Sequence, residues 1–228
     1  MSKKRSLKKA IEEYHMFPII AEVKHASPSD GRITDRSSYD LIEAYKKGGA
    51  AALSVLTEPK YFGGRIKTLT IATQSGIPCL MKDIIVSETQ IKAGALLGAD
   101  AVLVIERLNS MAVDIDYLID EAHRLGLEVL LEVANRDEMR SAITRDADMI
   151  GINQRDLSSM KLDYSKGVQI LFEFRDKCDL PLIVMSGISS SAQIRELRNT
   201  GANGVLIGTA LCASSDPSEF LRHLAVKR

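Results

Sequence analysis

The chain has 228 residues, enough for one large domain or two small ones, and its 45% hydrophobic content can fill a sizeable core. Its 30 basic and 30 acidic residues cancel, so nothing in the charge balance favours a nucleic acid or an anionic membrane surface as partner. The basic start from Met1 to Lys9 lacks the apolar core of a secretory signal, and no apolar run approaches the roughly 20 residues that span a bilayer. Cys79, Cys178 and Cys212 are odd in number and far apart, so they form neither a disulfide framework nor a metal-ligand pattern. Reduced thiols and a cytoplasmic setting are expected.

Taken in order, residues 5–16 carry Leu7, Ile11 and Tyr14 at helical spacing and predict a short amphipathic helix that plugs one end of a domain or lies over its mouth. A first strand follows at 18–24, then a helix with Gly48 as its stop, and a second strand Ala51–Leu56 running into Thr57 and Glu58. Helices are expected at about 66–75, 87–97, 111–125, 136–144, 165–176, 190–200 and 216–226. Between them lie strands at about 78–81, 101–105, 128–131, 149–152, 182–185 and 204–207. Three joints resemble one another, beginning Gly49-Ala-Ala, Gly98-Ala-Asp and Gly201-Ala-Asn. Strands apolar on both faces mark a parallel sheet covered by helices. Eight strand–helix units predict an α/β fold, a (β/α)8 barrel over residues 18–228 preceded by an extension of residues 1–17. An open doubly wound sheet is the rival, but no Gly-x-Gly-x-x-Gly follows the first strand.

Polar groups interrupt the apolar runs at one end of strand after strand. Alternation places Ile20, Glu22 and Lys24 on one face of the first strand. A carboxylate and an ammonium facing inward at a strand end form either a pocket floor or a structural ion pair. Lys82, Glu132 and Asn153 end later strands in the same way, and barrel active sites are built at the carboxyl ends of strands. Ser186-Gly187 and Gly208-Thr209 follow the seventh and eighth strands, where a close backbone and free N–H groups hold phosphate in many barrels. Tyr61-Phe62 could wall an aromatic substrate or cover the rim. His15, His25, His123 and His223 show no ligand spacing.

The stretches Ile20-Ala-Glu-Val-Lys-His-Ala-Ser-Pro-Ser, Leu56-Thr-Glu-Pro-Lys-Tyr-Phe-Gly-Gly, Met81-Lys-Asp, Leu131-Glu-Val, Ile150-Gly-Ile-Asn-Gln-Arg-Asp-Leu, Ser186-Gly-Ile and Leu206-Ile-Gly-Thr-Ala-Leu occur in one order. In them the chain resembles the indole-3-glycerol phosphate synthases of tryptophan biosynthesis. That family closes the pyrrole ring of 1-(2-carboxyphenylamino)-1-deoxyribulose 5-phosphate with loss of carbon dioxide and water. The resemblance implies Lys82 as the acid that protonates the carbonyl oxygen, its pKa lowered by a crowded basic site, and Glu132 as the base of dehydration. It implies Lys24 beside the substrate phosphate and carboxylate as a second candidate acid, with Glu22 and Asn153 holding hydroxyls and orienting these catalytic groups. Ser27, Phe62, Arg155 and Ser186 fall at substrate-binding positions, and Gly187, Gly208 and Thr209 join Lys24 at the phosphate. No metal or organic cofactor is implied. The expected partner is a phosphorylated small molecule, with neither nucleic acid nor membrane, and the expected state is a monomer or weak homodimer.

Three departures stand out. Met185 occupies a position where the family usually has Glu, which predicts weaker substrate positioning without loss of the fold. Only about 17 residues precede the first strand, so a shortened lid is expected, and Ile84 stands where Phe is usual. Two alternatives stay open: a related barrel such as a phosphoribosylanthranilate isomerase, which is expected to use a Cys/Asp pair, and a phosphosugar-binding barrel with reduced catalysis.

Overall fold

The computed structural model describes residues 5–155 and 161–228. Asp156 and Leu157 of the Gly-Ile-Asn motif, and Met1 to Lys4 of the basic start, lie outside the described residues. Eight parallel strands close into a barrel: β1 Ile19–Val23, β2 Ala52–Leu56, β3 Cys79–Lys82, β4 Ala101–Ile105, β5 Glu128–Val133, β6 Met149–Asn153, β7 Leu182–Met185 and β8 Gly204–Ile207. Each pairs with its neighbours in chain order, and β8 returns to β1 through Ile20↔Leu206. The period-two alternation of each strand divides the apolar residues into two cores. Ile20, Ala52, Leu80, Leu103, Leu130, Met149, Ile183 and Leu206 fill the barrel. Their neighbours, such as Ala21, Leu53, Val102, Leu131 and Val184, pack outward against the helices.

The N-terminal helix, Leu7–Glu13, closes the amino end of the barrel. Leu7 and Ile11 are fully buried and belong to the interior core. Glu128, which opens β5, accepts the N–H groups of Leu7 (2.7 Å) and Lys8 (2.9 Å) and the Ser6 hydroxyl. A carboxylate there satisfies otherwise unpaired donors and complements the helix dipole. Arg5 pairs with Asp100 at 3.0 Å, just before β4, where Asp100 also accepts the Cys79 N–H. Of the two placements open for this helix, the plug is the one adopted.

Several elements differ from those the spacing predicts. The helix Ser38–Gly48 continues through Gly48, and Gly49 is the left-handed residue (φ 87°) that stops it. The helix expected from 111 begins at Ile115 under its Asp114 cap, because Glu106–Met111 is a 3-10 turn ended by Ala112 at φ 63°. A two-stranded hairpin, Ala26–Ser27 with Gly31–Arg32, a single turn Pro59–Phe62 and a short helix Thr209–Ala213 were hidden in the connections. All of these follow carboxyl ends of strands. Among the described residues no helix is long and apolar enough to cross a membrane.

Ile11→Ala removes a fully buried side chain from the plug without touching the opposite mouth. The expected loss is about 2–4 kcal/mol of unfolding free energy, measured by denaturant titration.

Candidate active site

The carboxyl ends of the strands surround a cavity of ≈ 910 Å³. The expected residues all line it: Glu22, Lys24 and Ser27 from β1 and its loop, Phe62 after β2, Lys82 on β3, Glu132 on β5, Asn153 and Arg155 at β6, Ser186 and Gly187 after β7, and Gly208 and Thr209 after β8. At the centre is Glu22, only 3% exposed. Its Oε1 lies 3.2 Å from Lys24 Nζ and its Oε2 3.2 Å from Lys82 Nζ. Oε2 nonetheless has no aligned hydrogen-bond donor. Behind it, the Glu22 carbonyl accepts the Tyr45 hydroxyl (3.1 Å) and the Cys212 thiol (3.2 Å), which anchor the strand end from two helices. Gly208 leaves room for the carboxylate, since a Cβ there would clash with it.

Burial pushes the Glu22 carboxyl up, but Lys82 and Lys24 outweigh it, so its pKa lies below the ordinary glutamate value. Burial pushes Lys82 down, but Glu22 and then Glu132 outweigh it, so its pKa is raised. This corrects the expectation of a lowered Lys82: the site surrounding it is acidic rather than basic. Burial is the leading cause at Glu132, and it leaves that carboxyl above its ordinary value despite Lys82 and Asn153.

Asn153 links the sixth and seventh strand ends to Glu132. Its amide donates to Glu132 Oε1 at 2.8 Å, while its oxygen accepts the Ser186 hydroxyl (2.8 Å) and the Arg155 N–H (2.9 Å). Ser186 sits in the left-handed region (φ 73°), strained for a residue with a side chain, and Gly187 follows at the same φ. Gly187 also packs so closely on Leu162 that a Cβ would meet it at 2.6 Å.

The mouth has two unlike sides. Leu103, Ile105, Leu108 and Met111 with Ile84 and Phe62 make an apolar wall over β2, β3 and β4. Phe62 lies beside Lys82, whose Nζ is 5.9 Å from the ring centre. Across the cavity, Ser27, Gly187, Gly208 and Thr209 gather where β1, β8 and β7 are neighbours. The helix after β7 spends its first donors internally: Ser190 and Gln193 form a capping box, and Gln193 Oε1 accepts the N–H groups of Ser189 (3.0 Å) and Ser190 (3.2 Å). Within the helix's first turn this engages the Gln193 N–H, and just before it the N–H groups of Ser189 and Ser190. Met185 is 2% exposed and turns into the barrel over Gly151, where a Cβ would meet its Cε at 2.9 Å. Its thioether brings no carboxylate acceptor to the cavity.

Glu58, Asp83, Arg107, Leu108 and Met111 also line the cavity and were not singled out by spacing. Glu58-Pro59 is a legible cap: the carboxylate accepts the N–H groups of Lys60 (2.8 Å), Tyr61 (2.6 Å) and Phe62 (3.1 Å), and Pro59 opens the turn. Asp83 holds the turn beyond Lys82 by accepting the Thr57 hydroxyl at 2.6 Å and the Ile84 N–H at 2.7 Å. Arg107, Leu108 and Met111 reach the mouth through a 3-10 turn that apolar periodicity does not announce. Among the described residues, no group of three or more His, Cys, Asp or Glu side chains is placed to hold a metal ion.

A family model described as indole-3-glycerol phosphate synthase matches residues 1–224. An indole-3-glycerol phosphate synthase of Methanopyrus kandleri is 38% identical over 224 residues, covering 96% of this chain and 87% of that protein. One of Aquifex aeolicus is 41% identical over 207 residues, 90% of this chain and 80% of that protein. Among solved structures, a mutant tryptophan synthase alpha-subunit from Pyrococcus furiosus superposes with a TM-score of 0.70 at 15% identity, covering 92% of this chain and 98% of that one, a likeness of fold.

The loop that carries Phe62 can be tested through its cap. Glu58→Ala leaves three N–H groups without their acceptor, with an expected loss of about 1–2 kcal/mol in a denaturant titration. Amide exchange at residues 60–62 is expected to quicken in the same variant.

Proposed function

The chain belongs to the indole-3-glycerol phosphate synthase family and is a carboxy-lyase of tryptophan biosynthesis; from that premise we propose which of its residues carry the decarboxylative ring closure. Lys82 is the acid and Glu132 the base. The observation that carries this reading is the Lys82 ammonium, paired with Glu22 at 3.2 Å and raised in pKa by Glu22 and Glu132, in a cavity with an apolar wall beside it.

The substrate's aromatic ring lies against the apolar wall of Phe62, Leu108 and Ile84, and its phosphate lies toward Ser27, Gly187, Gly208 and Thr209. Between them the ketone oxygen meets Lys82. The ring carbon bearing the carboxylate attacks the ketone carbon, and Lys82 delivers a proton to the oxygen as the new bond forms. At neutral pH the raised pKa keeps Lys82 charged, so the acid form is fully available. Loss of carbon dioxide restores the aromatic ring. The new hydroxyl then leaves as water while a base takes a proton, which suits a carboxylate whose proton affinity burial has raised, as at Glu132.

Asn153 orients Glu132 through its 2.8 Å hydrogen bond, and Arg155 lies two residues beyond at the rim. Met185 offers no acceptor to a substrate hydroxyl, so Glu22 Oε2, buried and without an aligned donor, and Asn153 take that work. Lys24 holds one edge of Glu22 and faces the phosphate side, where its charge steers the anion. The chain's balanced charge and its buried free thiols Cys79 and Cys212 support a phosphorylated small molecule as the partner and a cytoplasmic setting.

Formation of the fluorescent indole product from the carboxyphenylamino-deoxyribulose phosphate tests the two roles. Lys82→Ala and Glu132→Gln are each expected to lower kcat at least about 10²-fold with the fold intact by circular dichroism; near-full activity in Lys82→Ala would remove it as the acid. The acidic limb of the wild-type kcat/KM profile is expected above the ordinary glutamate value, since the base form of Glu132 is lost as pH falls through a raised pKa. Glu22→Gln removes a charge that raises both Glu132 and Lys82. Both limbs of its profile are therefore expected to move to lower pH.

A further inference from the structure

The hairpin after β1 carries Ser27, Pro28, Ser29 and Asp30 into the phosphate side of the cavity. There the Asp30 carboxylate occupies hydroxyls that the phosphate reading also requires. Its Oδ2 accepts Ser27 Oγ at 2.8 Å and Ser29 Oγ at 3.1 Å, and it lies 3.4 Å from Thr209 Oγ1, which arrives from the far end of the chain. The Ser27 hydroxyl above all, with Ser29, Lys24 and Arg155, holds this carboxyl below the ordinary aspartate range, so it is charged at neutral pH. A carboxylate among serine and threonine hydroxyls and two nearby cations satisfies the same donors as a phosphate oxygen.

We infer that Asp30 is an internal anion that competes with the substrate phosphate for Ser27 and Thr209, and so sets the affinity of the phosphate side. The inference rests on the phosphate placement proposed above. Two anions cannot share these donors without close repulsion, so phosphate entry and the Asp30 contact exclude each other. The turn is built to release it. Residues 28–31 are exposed, and Gly31 stands at φ 63° with nothing within 4 Å of where a Cβ would be. The Asp30 N–H stays on Ser27 Oγ at 3.1 Å, so release is a rotation of the exposed Asp30 side chain away from its hydroxyl partners. A carboxylate that served only to brace the turn would do the opposite on removal: the hairpin would loosen and substrate would bind less well.

Steady-state KM and the competitive inhibition constant of inorganic phosphate, measured on wild type, Asp30→Asn, Asp30→Ala and Thr209→Val, test this. Both Asp30 variants are expected to lower KM and the phosphate Ki by about 1.5- to fivefold, the range of exposed charge interactions. Thr209→Val is expected to raise both constants. If phosphate competes and Thr209→Val weakens it, but both Asp30 variants leave Ki unchanged or higher, the inference is overturned and the phosphate placement stands. If phosphate does not compete with wild type, or Thr209→Val leaves its Ki unmoved, the placement falls and the inference with it.

Discussion

A carboxylate almost closed to solvent, held between two ammonium groups at 3.2 Å each, governs the carboxyl end of this barrel. Taking Glu22 out of water is costly, and the cost is offset only while both lysines remain. Removing either lysine would leave the buried carboxylate with a single cation to offset its burial. The surrounding chain is adapted to that demand. Tyr45 and Cys212 grip the Glu22 carbonyl from behind, and Gly208, just beyond the adjoining strand, leaves the space that the carboxylate fills. The same negative charge keeps the Lys82 proton in place and lifts Glu132 further, so the ionisation of Lys82 and Glu132 is set jointly rather than residue by residue.

The rest of the barrel keeps these charges at one end. Below them the interior is apolar, and the far end is sealed by Leu7 and Ile11 of the N-terminal helix. The buried Ser54 hydroxyl, in register with Glu22 on β2, has no hydrogen-bond partner, and the charged side chains turn to one another and to the mouth. Barrel strands carry Glu22, Lys82, Glu132 and Asn153, while the connections beyond them carry Ser27, Phe62, Ser186 and Thr209. That division suits chemistry in which a proton donor and acceptor must keep their places as a long, flexible substrate settles.

Met185 shows how a departure in a site can be absorbed by the core. Its side chain lies in the barrel interior over Gly151, in the space that a residue without Cβ provides. The change therefore adds packing where a carboxylate would bring a third negative charge close to Glu22 and Glu132. As a thioether it brings no carboxylate acceptor to the cavity that it lines. The Lys82 environment carries a similar lesson. A lysine among other basic residues is pushed down in pKa, but this one is surrounded by carboxylates from β1 and β5, and its pKa rises.

The eightfold alternation, the inward face shared by Ile20 and Glu22, and the strand-end positions of Lys82, Glu132 and Asn153 could all be read along the chain. Each depends on local periodicity or on a polar residue breaking an apolar run, signals that survive without neighbours. So could the Glu58-Pro59 cap in principle, because it is made within five residues. The balance of charge at Lys82 could not, since Glu22 and Glu132 lie 60 and 50 positions away and meet it only when the barrel closes. Closure likewise decided that the first helix plugs the amino end, that Asn153 joins Glu132 to Ser186, and that the loop bearing Asp30 meets Thr209 across 179 positions. A pKa and a shared hydrogen bond are properties of distance in space, and only the tertiary structure sets that distance.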